Sequence, residues 1–273
     1  MTTSRFNIED RVAVVTGGNG LLGTEYVKTL AEAGARVAVI DITPSLNEKL
    51  TTLKNSGHNI EFYRADITNK NDVTEVYKSV SKKWGIPTIL INNAAVDTPL
   101  TGDHGNRSFG MFPLEVWETA LRVNLTGMFL CCQIFGSAMA AQKTKRGGSI
   151  INISSTYGIV APHQEIYAYK EKKGEPFYEK PITYSTTKAG VIGMTRWLAT
   201  YWAKRGVRVN ALAPGGVFAK QDPEFLAGYE GLTPMGRMAE KYEYNDAILF
   251  LASDASSYMT GSVITIDGGW TAW

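Results

Sequence analysis

The sequence predicts one α/β domain organised as a doubly wound parallel sheet. Three observations carry that expectation. Short β-branched runs alternate with amphipathic stretches from Arg11 to Ala211. The first run ends in a glycine cluster, Thr16-Gly-Gly-Asn-Gly-Leu-Leu-Gly23, which leads without slack into a helical period. No internal repeat, low-complexity tract or linker interrupts the 273 residues, so a single domain over 1–273 suffices.

Arg11-Val-Ala-Val-Val-Thr16 reads as the first strand and Leu21 to Ala33 as the first helix. A glycine turn in that position lets backbone amides and a helix N-terminus approach a pyrophosphate. The second strand, Arg36-Val-Ala-Val-Ile-Asp41, ends in an acid 24 residues after Gly17. An acid there hydrogen-bonds adenosine ribose hydroxyls and repels a 2′-phosphate, which favours NAD over NADP. The alternative is that Asp41 only caps the next helix, and its place at a strand's end favours the cofactor role.

Ile60-Glu-Phe-Tyr-Arg64 follows as a third strand, Asp72 to Trp84 as a helix, and Thr88-Ile-Leu-Ile-Asn-Asn-Ala-Ala95 as a fourth strand running into a turn. Ligands of such sheets lie at the strands' carboxyl ends, so Asp66, Asn92 and Asn93 are candidate cofactor contacts. A polar segment from Val96 to Phe112 precedes a helix from about Pro113 through Asn124 to Ala141, and Gly148 to Ser155 is a fifth strand ending in two hydroxyls. The basic cluster Lys143-Thr-Lys-Arg146 reads as solvating a helix end.

Tyr184-Ser-Thr-Thr-Lys188 carries the chemistry. Four residues apart on a helix, a Tyr and a Lys share one face. A phenol titrates near ~10, and an adjacent ammonium favours the phenolate, giving a usable acid/base. The spacing alone is weak, because Tyr169-Lys-Glu-Lys-Lys173 repeats it. Tyr184, however, opens the amphipathic run to Trp202 and the apolar Val207-Arg-Val-Asn-Ala-Leu-Ala, whereas Tyr169 lies among Lys, Glu, Gly and Pro, as on a loop.

Composition excludes other classes. With 44% hydrophobic and 20% charged residues and a formal charge of +2, the chain does not read as a nucleic-acid binder. Cys131 and Cys132 are adjacent in an apolar run and read as buried free thiols of a reducing compartment. The N-terminus lacks an apolar signal core, and no apolar stretch approaches the ~18 residues of a membrane span, so a cytoplasmic location and no membrane partner are expected. No metal-ligand set is assigned.

Over nearly its full length the chain resembles the short-chain dehydrogenase/reductases. The motifs that carry the resemblance are Thr16-Gly17 with its turn, Asn92-Asn-Ala-Ala95, Asn124 in Val-Asn-Leu-Thr-Gly, Ser155 in Ile-Ser-Ser-Thr-Tyr-Gly158, Tyr184 with Lys188, and Arg208-Val-Asn-Ala-Leu-Ala-Pro-Gly215. The resemblance implies a Rossmann fold with Tyr184 as acid/base, Ser155 bonding the reacting oxygen, Lys188 holding the nicotinamide ribose while lowering the Tyr184 pKa, and Asn124 kinking its helix and anchoring a relay water. It implies NAD contacts at Gly17, Asn19, Leu22, Asp41, Ile42, Asp66, Ile67, Asn93, Tyr184, Lys188, Gly215 and Val217. Pairing of the helices Val123 to Ala141 and Ile182 to Lys204, through Met128, Phe129, Phe135, Trp197 and Trp202, implies a homotetramer.

Three departures stand out. Leu21 occupies a position usually held by glycine in the shorter-chain branch, a spacing like that of the extended branch that handles nucleotide sugars. Ser155 and Tyr184 are 29 residues apart where about a dozen is usual, so a substrate-loop insertion spans about 159–181. Ala219 stands where a nicotinamide-contacting Thr is common. The insertion, with Tyr167, Tyr169, Phe177, Tyr178 and His163, suits a polar substrate and reads as a substrate-gripping lid. Its Ser-Ser-Thr-Tyr-Gly-Ile-Val-Ala-Pro-His run is similar to a subgroup of flagellin-glycan and nonulosonic-acid pathways. His104, His163, Arg107 and Lys220 are weak ligand candidates, since lone polar residues on loops are usually just solvated. Trp270 and Trp273 are expected at a subunit interface. The leading reading is an NAD-dependent alcohol dehydrogenase or ketoreductase acting on a carbohydrate-like small molecule. A sugar epimerase or dehydratase with transient oxidation, and a non-catalytic NAD-binding scaffold, are the alternatives.

Overall fold

Seven parallel strands form the sheet of the computed structural model, in which residues 5–97, 109–142, 147–175 and 178–273 are described. They are β1 (Val12–Thr16), β2 (Arg36–Asp41), β3 (Ile60–Arg64), β4 (Ile89–Asn92), β5 (Gly148–Ile153), β6 (Val207–Pro214) and β7 (Val263–Ile266), in the order β3-β2-β1-β4-β5-β6-β7. The order reverses between β1 and β4, whose registers end together at Thr16 beside Asn92. A crevice opens at such a reversal, at the strands' carboxyl ends, and that places the site.

Helices cover both faces: α1 (Leu21–Glu32), α2 (Glu48–Asn55), α3 (Lys70–Trp84), α4 (Leu114–Ala141), α5 (Tyr169–Lys172), α6 (Ile182–Trp202), α7 (Pro223–Gly231) and α8 (Asn245–Ala252). Alternation within a strand assigns the faces. Val12 and Val14 of β1 pack with Phe135 of α4 and Trp202 of α6. Ala13 and Val15 pack on the other side with Tyr26 and Leu30 of α1 and Ile248 of α8. Each fully buried side chain of this kind contributes about 1.5–3 kcal/mol.

Three features of the fold differ from expectation. The run Leu114–Ala141, with a mean hydropathy of 1.4 over its most apolar window, is long and apolar enough to cross a membrane by length and composition. Met128, Cys131, Cys132, Phe135 and Met139 of this helix are instead buried against the sheet. Tyr169 lies on the short helix α5 and not on a loop. Trp270 is not left for a subunit interface: Gly268 and Gly269, both at positive φ, turn the tail back, and the indole stacks on Tyr229 at 4.4 Å between ring centroids. Trp273, by contrast, is exposed. His104, Arg107, Lys143–Arg146 and Phe177 lie outside the described residues.

Candidate active site

An open cleft of about 1370 Å³ runs along the carboxyl ends of the strands. At one end the glycine turn forms its floor. Gly17 has φ 62°, and a Cβ there would lie 2.7 Å from the Cα of Ala94. A Cβ on Gly23 would lie 2.1 Å from the Gly17 carbonyl oxygen. The chain can therefore pass this close only without side chains. Leu21, the departure in the turn, is half exposed and simply begins α1, where no left-handed backbone is required. The first turn of α1 has no side-chain cap. Gly20, Leu21 and Leu22 of this turn line the cleft, where a helix's first amides favour an anion.

Asp41 closes β2 at the rim of this end. Its carboxylate accepts from the Asn19 N–H at 3.0 Å and the Thr43 N–H at 3.2 Å, which ties the glycine turn to the strand and leaves lone pairs for a hydroxyl. Gly17, Asn19, Leu22, Ile42, Asp66, Ile67, Asn93, Gly215 and Val217 all line the same cleft. Asn92 does not. It is buried, with its amide donating to Asn152 Oδ1 at 2.8 Å and Cys132 Sγ at 3.2 Å. Successive strand residues face opposite ways, so Asn92 points into the core while Asn93 reaches the cleft and donates to the Thr16 and Gly17 carbonyls at 3.1 and 2.9 Å.

The other end gathers Ser155, Tyr184 and Lys188. Two contacts hold α6 against the end of β5: Ser154 Oγ donates to the Lys188 carbonyl at 2.8 Å, and Lys188 Nζ donates to the Ile153 carbonyl at 2.9 Å. The Lys188 ammonium lies 5.6 Å from the Tyr184 ring centroid. Asn124 sits in the π-helical segment Arg122–Gly127 of α4, where the widened turn frees its side chain to point inward. It exchanges two bonds with the Val96 backbone, at 2.8 and 3.0 Å, and donates to Thr187 Oγ1 at 3.2 Å, one residue before Lys188. The expected helix irregularity is therefore present, and Asn124 links β4's exit loop to the Tyr184 helix.

Electrostatics correct one expectation. Burial pushes the Tyr184 phenol up to about 12, Asp97 adds to the rise, and a hydrogen bond with Ser155 opposes it. Burial lowers Lys188 to about 8, with Asp97 opposing. The lysine therefore gives up its proton before the tyrosine does, so Lys188 alone does not make Tyr184 a ready base. The same desolvation acts on both groups.

A stability prediction follows for Lys188→Met. Below about pH 8 the native chain carries a buried ammonium whose pKa is depressed from 10.5 to about 8. That costs at most about 3 kcal/mol, and the lost bond to Ile153 returns about 1–2 kcal/mol of it. The variant should melt at or above the wild-type temperature at pH 7. The advantage should fade as pH rises from 8 towards 10.5, where the native lysine is already neutral and the unfolded one is not. Thermal melts at several pH values check this, and a clear loss of stability at pH 7 would contradict it.

Tyr169 is not a second site of this kind: its hydroxyl donates to Asp222 at 2.7 Å, and Lys173 pairs with Glu224 at 2.9 Å. Arg208 and Asn210 of the Arg-Val-Asn motif are clamps. Arg208 donates to the Leu251 and Ser253 carbonyls, while Asn210 joins the Met259 carbonyl and the Ser262 N–H, fixing the approach to β7. His163 is exposed, and its ring stands edge-to-face with Trp270 at 5.8 Å between centroids. Lys220 lines the cleft at φ 60°.

Sequence reasoning missed several residues of the wall. Tyr157 contacts Tyr184 edge-on at 6.5 Å and Trp270 at 6.3 Å. Phe225 and Tyr229 of α7 join Tyr167 and Tyr178 of the insertion in lining the cleft. Asp97 and Lys180 also line it and form an ion pair. Lys180 stands four residues before Tyr184, a spacing visible in the sequence, but Pro181 places it outside the helix and only the fold returns it to the site.

The chain is similar to known proteins over nearly its full length. A family model described as short chain dehydrogenase matches residues 11–225. Galactitol 2-dehydrogenase of Rhizobium johnstonii is 32% identical over 275 residues, with 98% of each chain covered. Cis-4-hydroxycyclohexanecarboxylate dehydrogenase of Sinomonas cyclohexanicum is 31% identical over 267 residues, covering 96% of this chain and 97% of the other. The crystal structure of a short chain dehydrogenase from Leptospira borgpetersenii with bound NAD+ matches with a TM-score of 0.82 at 33% identity, over 99% of this chain and 96% of that one. With a glycine turn, a Ser-Tyr-Lys group and full-length likeness to these enzymes, the chain belongs to the short-chain dehydrogenase/reductase family.

Proposed function

We propose that the chain is an NAD-dependent dehydrogenase that interconverts a secondary alcohol and a ketone on a polar, carbohydrate-derived substrate. The observation that carries this reading is the convergence of Ser155, Tyr184 and Lys188 at one end of a cleft whose other end holds a side-chain-free turn, an uncapped helix start and Asp41. The residues present fit a dinucleotide: the turn accepts the pyrophosphate, Asp41 the adenosine ribose hydroxyls, and Lys188 the second ribose. When bound, the nicotinamide supplies the acceptor or donor of the hydride. Tyr184 takes the alcohol proton in one direction and returns it in the other, Ser155 orients the reacting oxygen, and Asn124 keeps the Tyr184 helix in register with β4.

The substrate half of the cleft is walled by Tyr157, Tyr167, Tyr178, Phe225 and Tyr229, with lysines and Asp97 at its margins. Aromatic faces take the C–H side of a hydroxylated carbon skeleton, and polar tips take its hydroxyls. The names galactitol and hydroxycyclohexanecarboxylate in the relatives fit that chemistry. The narrower resemblance to flagellin-glycan and nonulosonic-acid enzymes, drawn from the segment after Ser154, falls within the same substrate class. The insertion serves as a lid over this half, and the adjacent buried thiols fit a cytoplasmic setting.

Asp41 should make NAD bind at least tenfold more tightly than NADP, because its carboxylate meets the 2′-phosphate. Titration of tryptophan fluorescence with both cofactors, followed by a turnover screen over polyols, aldonates and cyclic alcohols, tests the reading; equal affinities would remove Asp41 from it.

A homotetramer is also proposed. Met128, Phe135 and Trp202 are buried within the chain, but Phe129 and Trp197 are 47% and 62% exposed, and Trp197 stacks on Tyr201 at 4.9 Å. These rings lie on α4 and α6, the helices expected to pair. Sedimentation at micromolar concentration should give a tetramer, and a stable monomer would refute it.

A further inference from the structure

Just outside the Ser155, Tyr184 and Lys188 group lies an ion pair that has no assigned role. The Lys180 ammonium is 4.5 Å from the Tyr184 ring centroid, nearer than Lys188 at 5.6 Å. Its side chain is only 11% exposed, and its partner is the Asp97 carboxylate on the segment that follows β4. The backbone of Lys180 is fixed as well: its N–H donates to Gln164 Oε1 at 2.8 Å, and its carbonyl accepts from Gln164 Nε2 at 3.2 Å. One side-chain amide thus brackets the peptide that carries the ammonium, so Lys180 is held over the ring by the two ends of the insertion.

We propose that Lys180 and Asp97 are positioning residues that set the proton affinity of Tyr184 with opposite signs, Lys180 lowering it and Asp97 raising it. The proposal takes its functional meaning from Tyr184 as the acid/base. A cation this close to a buried phenol stabilises the phenolate, and a carboxylate beside it does the reverse. The groups that face Tyr184 are Lys188 from its own helix, Ser155 and Tyr157 from the segment after β5, Lys180 from the insertion and Asp97 from the segment after β4. Asp97 reaches Tyr184 through the Lys180 ammonium it pairs with, and its negative charge raises the phenol's proton affinity. The Ser155 bond orients the oxygen, and Tyr157 is neutral. Lys180, held over the ring by its ion pair and its Gln164 bracket, is the nearer of the two lysines. The insertion accordingly does more than touch substrate: it delivers a charge to the reacting group.

The test reads the phenol directly and needs no substrate. A 3-fluorotyrosine placed at position 184 of the full-length chain gives one ¹⁹F resonance, and the fluorine brings the phenol's titration down towards a range the fold tolerates. The titration midpoint should rise by about one unit in Lys180→Met and fall by about half to one unit in Asp97→Asn. Lys180→Arg, which keeps the cation, should stay near the parent. Midpoints that move together, that do not move, or that shift as far in Lys180→Arg as in Lys180→Met would overturn the proposal. If Lys180→Met does not fold, the sign of the Asp97→Asn shift decides: a fall supports the proposal, and a rise or no change overturns it. Because the resonance reports the field at Tyr184 whether or not that phenol is catalytic, the result is separate from the fate of the functional reading, which stands or falls on turnover by Tyr184→Phe.

Discussion

Tyr184→Phe should lower kcat for alcohol oxidation by about three orders of magnitude while leaving NAD affinity within about twofold. The change removes one hydroxyl, with its bond to Ser155, and keeps the ring. The ring's neighbours are Tyr157, Lys180 and Lys188, and Phe keeps these contacts. What disappears is the atom that holds the proton. The pH dependence has a fixed sign. Oxidation needs the phenolate and should accelerate as pH rises; ketone reduction needs the phenol and should slow. Burial places the phenol at about 12, so the rise on oxidation should extend well into the alkaline range. Steady-state rates in both directions, with cofactor binding followed by tryptophan fluorescence, check the prediction. A variant that keeps a tenth or more of wild-type kcat would remove Tyr184 from the mechanism.

Replacing Gln164 to Glu179 by a short Gly-Ser linker is expected to lower kcat/KM on the best substrate by about a hundredfold, with NAD affinity unchanged. The stretch contributes Tyr167, Tyr169, Lys170 and Tyr178 to the cleft and none of the residues proposed to hold the dinucleotide. It is also packed: Ile166 and Tyr167 are buried in a cluster with Tyr229, Met238 and Trp270, and Tyr167 meets Tyr178 and Phe225 at 5.0 and 5.4 Å. Its removal therefore strips the substrate wall and loosens Lys180, which loses its Gln164 bracket. Both effects act on the chemical step, so kcat should fall along with the rise in KM. A shortened enzyme that keeps its kcat/KM would refute the lid.

The strands were legible because most are short apolar runs rich in β-branched residues, and parallel order followed from the intervening helices. Tyr184 was separated from Tyr169 by its place on a long amphipathic helix, and the separation holds, although Tyr169 has a short helix of its own. Other features depend on tertiary structure. Asn92 and Asn93 look alike as neighbouring amides, and the strand's two-residue period sends only Asn93 to the cleft. Trp270 looked like interface material because an aromatic tail after a strand has no visible partner in sequence; its partner is Tyr229, 41 positions away, reached through two left-handed glycines. The order of proton loss at Tyr184 and Lys188 is set by burial, which spacing does not report. The Lys180–Asp97 pair spans 83 residues and exists only because the insertion folds back over the site.

Release of free NADH in step with ketone tests the central claim most directly. With NAD+ and a polyol taken from the turnover screen, the wild type should accumulate one NADH for each ketone formed, and Tyr184→Phe should accumulate almost none. Conversion of a sugar or polyol without accumulation of NADH, at a rate that Tyr184→Phe shares or loses, would contradict a net dehydrogenase and point to an enzyme that oxidises its substrate only transiently.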